Sequence, residues 1–328
     1  MIPKKLFKGA KIRVCSPSRS MKIISQEVRA IANQSMKEMS LTVTYSKNSE
    51  ESNSFLSSKI SSRIIDLHEA FSDKNIDGIL TTIGGFNSNQ LLKYLDYNLI
   101  KKNPKIICGY SDITALNNAI YAKTGLVTYL GPHYSTFGMK KGNEYTIEYF
   151  KKCLFSTASF EITASPEWSD DEWYLDQENR TFFKNEGMAV INNGKAKGTL
   201  IGGNIGTFAL LQGTEFIPSL KKSIILIEDD SATGKLFDVT IDRQLQSLIH
   251  QPEFDKVRGI IFGRAQKSVG FTMDRLREII STKKELNNVP IIANVDFGHT
   301  TPMLTMPIGG KAEIEFAKDT KKIKIIEH

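Results

Sequence analysis

The chain has 328 residues, 40% hydrophobic and 24% charged, with a formal net charge of +7. That composition is ordinary for a globular protein, which excludes a disordered chain, and the length suffices for two domains or one large one. No apolar run reaches membrane-spanning length, and the basic start MIPKKLFKGAKIRV lacks the apolar core of a signal peptide, so a soluble, cytosolic protein with no membrane partner is expected.

The positive charge comes as scattered lysine pairs such as Lys101-Lys102 and Lys221-Lys222, with no long basic run and no interleaved aromatic platform. It reads as solvated surface rather than a nucleic-acid interface, and it is compatible with a cleft that attracts a small anion. Cys15, Cys108 and Cys153 are odd in number, widely spaced and without neighbouring histidine, a pattern of reduced thiols rather than of disulfides or a metal site.

The first half alternates strand and helix signals, as a mostly parallel sheet with crossover helices requires. Strands are predicted at Lys11 to Cys15, Leu41 to Tyr45, Gly78 to Ile83, Lys105 to Cys108 and Val127 to Leu130, with helices at Ser25 to Met39, Lys59 to Phe71, Ser88 to Leu95 and Asp112 to Lys123. These make an N-terminal layered α/β domain over residues 1–164. Residues 165–186, with both tryptophans, many acids and no periodicity, read as a linker or lid. From residue 187 to 328 the pattern is strand-rich, with helices near Ile205, Phe237 and Met273, and predicts a smaller C-terminal domain of mixed α/β structure.

Ser111, in Gly109-Tyr110-Ser111-Asp112, sits between a buried strand and a helix, where α/β hydrolases present a nucleophile and where the first free helical N–H groups can stabilise an oxyanion. Serine is also a common helix N-cap, so the segment gains weight only with a base and an acid. Of five histidines, His328 is terminal, His68 and His250 lie in helical patterns and His133 lies in a turn. His299, in Asp296-Phe297-Gly298-His299-Thr300 just past a predicted strand, is the candidate base. Glu228 ends the buried run Ser223 to Ile227 and is the candidate acid, while Asp229 and Asp230 read as a solvated turn. A second oxyanion donor is available in Gly84-Gly85 before Asn87-Ser88-Asn89, where the missing side chains allow close backbone approach. A further Gly-Gly-Asn ending at Asn204 fits either a substrate contact or turn chemistry. Lys235 is the candidate for a substrate carboxylate, or a plain surface lysine.

Together the segment Gly84 to Tyr97, GYSD at 109–112, GGN at 202–204, LIED at 226–229 and DFGHT at 296–300 resemble the LD-carboxypeptidase family of serine peptidases, in order and over essentially the whole chain. The NSN after the double glycine and the acidic segment Trp168 to Trp173 are similar to the branch concerned with microcin C self-immunity. The resemblance implies a Ser111–Glu228–His299 triad, an oxyanion hole from the N–H groups of Gly85 and Asp112, no metal or cofactor, and a homodimer. It implies hydrolysis of an amide beside a free carboxylate. The substrate is then a small-molecule peptidyl or aspartyl nucleotide conjugate, or alternatively a muropeptide tetrapeptide. A non-catalytic module binding a small anion is a third reading, in which the joint presence of Ser111, Glu228 and His299 is coincidence. Trp168 and Trp173 either pack at a domain junction or offer a stacking face for adenine.

Overall fold

The computed structural model describes residues 1–328. Sixteen strands form in chain order: β1 Lys11–Cys15, β2 Thr42–Tyr45, β3 Gly78–Thr81, β4 Ile106–Cys108, β5 Thr128–Leu130, β6 Phe160–Glu161, β7 Glu167–Trp168, β8 Phe183–Lys184, β9 Ala189–Asn192, β10 Gly194–Asn204, β11 Ser223–Glu228, β12 Gly259–Gly263, β13 Ile291–Val295, β14 Met306–Ile308, β15 Lys311–Ala317 and β16 Thr320–Glu327. They build a six-stranded sheet of order β14-β5-β4-β3-β1-β2, an eight-stranded sheet of order β6-β16-β15-β10-β11-β12-β13-β9, and the small pair β7-β8. The central strands β1 to β5 and β10 to β13 pair in parallel. Such strands are covered on both faces, which is why Gly78–Thr81 and Ser223–Glu228 are buried at every position and read as unbroken apolar runs.

Helix α1 (Gln26–Glu38) is capped by the Ser25 side chain on the Val28 N–H and buries Val28, Ala32 and Met36, one stripe four residues apart. The helix after Ser111, Thr114–Thr124, is different, because eight of its eleven residues are buried. It lies between the sheets, and Asn118 bonds both the N–H and the carbonyl of Gly202 at 2.9 Å. Two large apolar clusters result, and each draws residues from both sheets.

Several expectations are corrected in detail. The helix expected over Ser88 to Leu95 is a short 3-10 turn, Ser88–Leu91, and a separate helix Tyr97–Lys102 follows, capped by Asp96. Ser111 opens a 3-10 turn, so the α-helix proper begins at Thr114. Sheet membership also crosses residues 164 and 187. β6 joins the second sheet and β14 the first, each as a partner bound by tertiary pairing rather than by neighbouring sequence.

In the first sheet β1 lies between β2 and β3, so the winding reverses at the β1/β3 boundary, the place where open α/β sheets leave a crevice at their carboxyl ends. The segments leaving those ends carry Arg19, Gly84, Ser111 and His133; those leaving β11 and β13 carry Glu228 and His299.

Candidate active site

Ser111 has φ of +57°, a left-handed conformation that a side chain adopts at a cost of order 1–2 kcal/mol. The strain tips the hydroxyl out of the turn toward the second sheet. There the Ser111 Oγ lies 3.0 Å from His299 Nε2, and His299 Nδ1 lies 2.7 Å from Glu228 Oε2. Since the carboxylate can only accept, Nδ1 carries the proton, which leaves Nε2 free to take one from the serine. The Glu228 side chain is 1% exposed and that of His299 17%. Gly298, at φ +105°, permits this closure: a Cβ there would lie 2.6 Å from Glu228 Oε2.

Burial pulls the His299 pKa down, but the charge and hydrogen bond of Glu228, with Asp230 and Asp229 adding, outweigh it and raise the value above 6.5. Asp230 Oδ2 is 3.9 Å from Nε2. The same crowding of acids acts on Asp229, whose pKa is raised to about 6 by burial and then by Glu228.

The glycine loop stands beside Ser111. A Cβ on Gly84 would meet Ser111 Cβ at 2.9 Å and Oγ at 3.1 Å, so any side chain would fill the space beside the hydroxyl. The following Gly85 N–H donates to no other group of the chain. What fixes this loop is a feature the sequence did not disclose, the Asp112 carboxylate. Its Oδ2 accepts from the Ser18 hydroxyl at 2.5 Å and from the N–H groups of Asn87 and Ser88 at 3.0 and 2.9 Å.

His133 was also missed. Thr81 donates its one hydroxyl proton to the Cys108 carbonyl at 3.2 Å and therefore accepts from His133 Nδ1 at 2.8 Å, so Nε2 is a bare acceptor, buried without a partner. Burial, then the nearby His299, pushes its pKa down to about 3. Tyr110 packs against both rings, tilted over His133 at 4.3 Å and edge-on to His299 at 5.2 Å.

A cavity of about 810 Å³ opens over His299, lined among others by Arg19, Tyr110, Asp230, Trp173 and Met303. Its outer wall is the 165–186 segment, held at its base by a buried Arg264–Asp296 ion pair of 2.8 Å to which Ser165 and Asn185 also bond.

Residues 12–131 match the LD-carboxypeptidase N-terminal domain and residues 197–314 the C-terminal domain. The chain belongs to the LD-carboxypeptidase family. Within it, the chain is 54% identical over its full length, and the relative's, to YocD of Bacillus subtilis (strain 168), which is named only provisionally as a carboxypeptidase. It is 36% identical to the microcin C7 self-immunity protein MccF of Escherichia coli, over 83% of this chain and 80% of that one. The crystal structure of an MccF-like protein from Bacillus anthracis superimposes with a TM-score of 0.99 at 55% identity, covering both chains completely. The mixed α/β architecture is that of the MccF structures, which share a TM-score of 0.88.

The remaining sequence candidates are not all at the cavity. Of the two readings of the tryptophans, Trp168 takes the packing one: it is 9% exposed, because β7 pairs with β8 and sets its ring against Phe183, with Arg264 at 4.9 Å on the ring. Trp173 does line the cavity. Asn204 is buried, with its oxygen capping Thr207 and its amide on Asp229 at 2.9 Å. Lys235 is exposed, forms no ion pair and does not line the cavity. Closeness in sequence to Glu228 does not bring Lys235 to the cleft, because the turn Ser231–Leu236 carries it away and leaves Ser231 and Ala232 on the wall.

Proposed function

We propose that this protein is a serine peptidase or amidase that cleaves an amide beside a free carboxylate in a peptidyl or aspartyl nucleotide conjugate, and so detoxifies a microcin C-type antibiotic. The observation that carries the chemistry is the continuous chain Glu228 Oε2, His299 Nδ1, His299 Nε2, Ser111 Oγ. His299 takes the Ser111 proton as Oγ attacks the scissile carbonyl, Glu228 holds the tautomer and stabilises the imidazolium, and the N–H groups of Gly85 and Asp112 receive the oxyanion. His299 then protonates the leaving nitrogen, and water hydrolyses the acyl-enzyme by the same route in reverse. In this reading residues 1–164 supply the nucleophile, 187–328 the base and acid, and 165–186 the wall over the substrate. The active protein is a cytoplasmic homodimer.

The substrate class is supported by relatives. MccF has been crystallised with aspartyl sulfamoyl adenosine and with glutamyl sulfamoyl guanosine. A tryptophan is the residue replaced in the MccF variant seen with adenosine monophosphate, and Trp173 is the tryptophan that lines the cavity here. Trimming of muropeptide tetrapeptides is the second reading, favoured by the 54% identity to YocD and the carboxypeptidase name that it carries. Mass spectrometry after incubation with aspartyl sulfamoyl adenosine and, separately, with a muropeptide tetrapeptide tests both. Cleavage of the first alone supports the proposal; cleavage of the tetrapeptide alone replaces it.

A further inference from the structure

Beside the main cavity is a second one, of about 460 Å³, and the two share a single wall residue, Arg19. Their electrostatic characters are opposite. The cavity over His299 is walled by Asp170, Asp171, Glu172 and Asp230, with Arg19 its one arginine and no lysine. The second has no acid on its wall and carries three cations, Arg19, Lys59 and Arg63, between the exposed rings of Phe55 and Phe86.

Arg63 is 2% exposed, and a buried guanidinium ordinarily holds a carboxylate. Two other buried guanidinium groups do: Arg180 pairs with Asp171 and Arg264 with Asp296, each at 2.8 Å. Arg63 instead donates to the carbonyls of Pro17 and Asn87 and to the side chains of Asn87 and Gln90, and its Nε has no partner. Arg19 also forms no ion pair. Its guanidinium lies 4.8 Å from the centre of the Phe86 ring, and its buried Nε is unpartnered. Two acids lie near this group and only partly offset its three cations, Asp112 acting on Arg63 and Glu51 on Lys59. Asp112 is occupied by three donors behind the glycine loop, and Glu51 stands at the rim, accepting the Lys59 N–H at 3.4 Å.

Arg19 is also placed next to the reacting atoms. It follows β1 at the winding reversal, its N–H donates to the Gly84 carbonyl at 3.3 Å, and Gly84 in turn flanks Ser111. A substrate whose carbonyl sits on Ser111 therefore has acids around one end and a cluster with an excess of cations at the other.

We propose that the Arg19–Lys59–Arg63 cavity is a specificity subsite that binds a carboxylate carried by the acyl half of the substrate, with Arg19 as its contact at the catalytic cleft and Phe86 as its apolar flank. The inference rests on the hydrolase reading above and adds the side of the site on which negative charge is recognised. Both candidate substrate classes offer that group, as the side-chain carboxylate of an aspartyl conjugate or as a carboxylate of an acidic peptide.

The test compares wild type, Arg19→Gln, Lys59→Gln and Lys235→Gln on aspartyl sulfamoyl adenosine and its neutral asparaginyl counterpart, with a muropeptide tetrapeptide as a third arm to identify the source of the carboxylate. Loss of a charge-assisted contact is expected to raise KM for the aspartyl compound about tenfold or more in Arg19→Gln, with kcat little changed and the asparaginyl compound almost unaffected. Lys59→Gln follows in the same direction with a smaller effect. Equal losses on the two compounds, no loss, or discrimination lost in Lys235→Gln instead, overturn the proposal. Should wild type cleave none of the three, the hydrolase reading fails separately, and calorimetric binding of the same compounds decides the subsite. Affinity for the aspartyl over the asparaginyl compound that disappears in Arg19→Gln upholds it, and unchanged preference overturns it.

Discussion

Replacing Asp112 with alanine probes whether a carboxylate beside the nucleophile holds the oxyanion loop in place. Its Oδ2 alone gathers the Ser18 hydroxyl and the N–H groups of Asn87 and Ser88, at 2.5, 3.0 and 2.9 Å, and the residue is 2% exposed. Alanine leaves three donors without an acceptor, those of Ser18 and Ser88 buried and that of Asn87 partly so. An orphaned donor costs about 1–3 kcal/mol, and water entering the vacated space offsets part of that, so a destabilisation of about 3–5 kcal/mol is expected. The loop between Gly84 and Ser88 then loses its tether to the nucleophile turn, and a misplacement of order an ångström lowers the rate about a hundredfold. Asp112→Asn is the control. Because all three bonds converge on one oxygen, the amide oxygen can take that place, and this variant should stay within about 2 kcal/mol of wild type, the scale of a single altered hydrogen bond. Thermal unfolding with kcat on aspartyl sulfamoyl adenosine, measured well below the melting temperature, reads both effects. A folded alanine variant with wild-type kcat would show that the loop needs no such tether, and the account of the oxyanion site would fall.

Ser111→Ala should retain the fold and lose turnover by at least about a thousandfold, as loss of a triad nucleophile does; residual activity above about a hundredth of wild type excludes Ser111 as nucleophile. The single-turnover rate should rise with pH through a value above 6.5, because His299 must be neutral to accept a proton and its pKa is raised. Glu228→Gln removes the main cause of that elevation, so the midpoint should move to lower pH while the rate falls; an unmoved midpoint assigns the titration to another group. Gly84→Ala forces a methyl to 2.9 Å from Ser111 Cβ and should reduce kcat with little effect on melting, which parallel kinetics and calorimetry would check. Trp173→Ala should raise KM for adenylate analogues about tenfold through lost base stacking, whereas Trp168→Ala should lower the melting temperature instead; the reverse pattern refutes the placement of the two rings.

The catalytic candidates were legible because each sits where a local rule places function. Ser111, Glu228 and His299 follow apolar runs that could only be buried strands, and the end of such a run is recognisable without knowing which strands adjoin. Arg19, His133 and Asp230 offered no comparable signal. Arg19 reaches the cleft only because β3 lies beside β1, and His133 is set by the Thr81 hydroxyl of a strand fifty residues earlier in the chain. Which tryptophan packs and which lines the cavity was not legible for a related reason: Trp168 is buried by a two-residue strand pair too short to leave a periodic pattern. The helix Tyr97–Lys102 had a readable start in Asp96, but its six residues are too few for an amphipathic stripe.

The route of the chain around His299 bears on how the two halves of the molecule can move. β13, immediately before the base, belongs to one sheet, and β14, beginning seven residues after it, pairs with β5 in the other. His299 thus rides on a strap stitched to both sides of the seam. Any hinge that parted the sheets would pull this strap taut and draw Nε2 away from Ser111 before either core was disturbed. The 3.0 Å contact is therefore a gauge of closure. Neither half, cut at the 165–186 segment, would keep its sheet whole, since each would forfeit a strand to the other, so co-expressed fragments should regain activity only by re-threading that exchange.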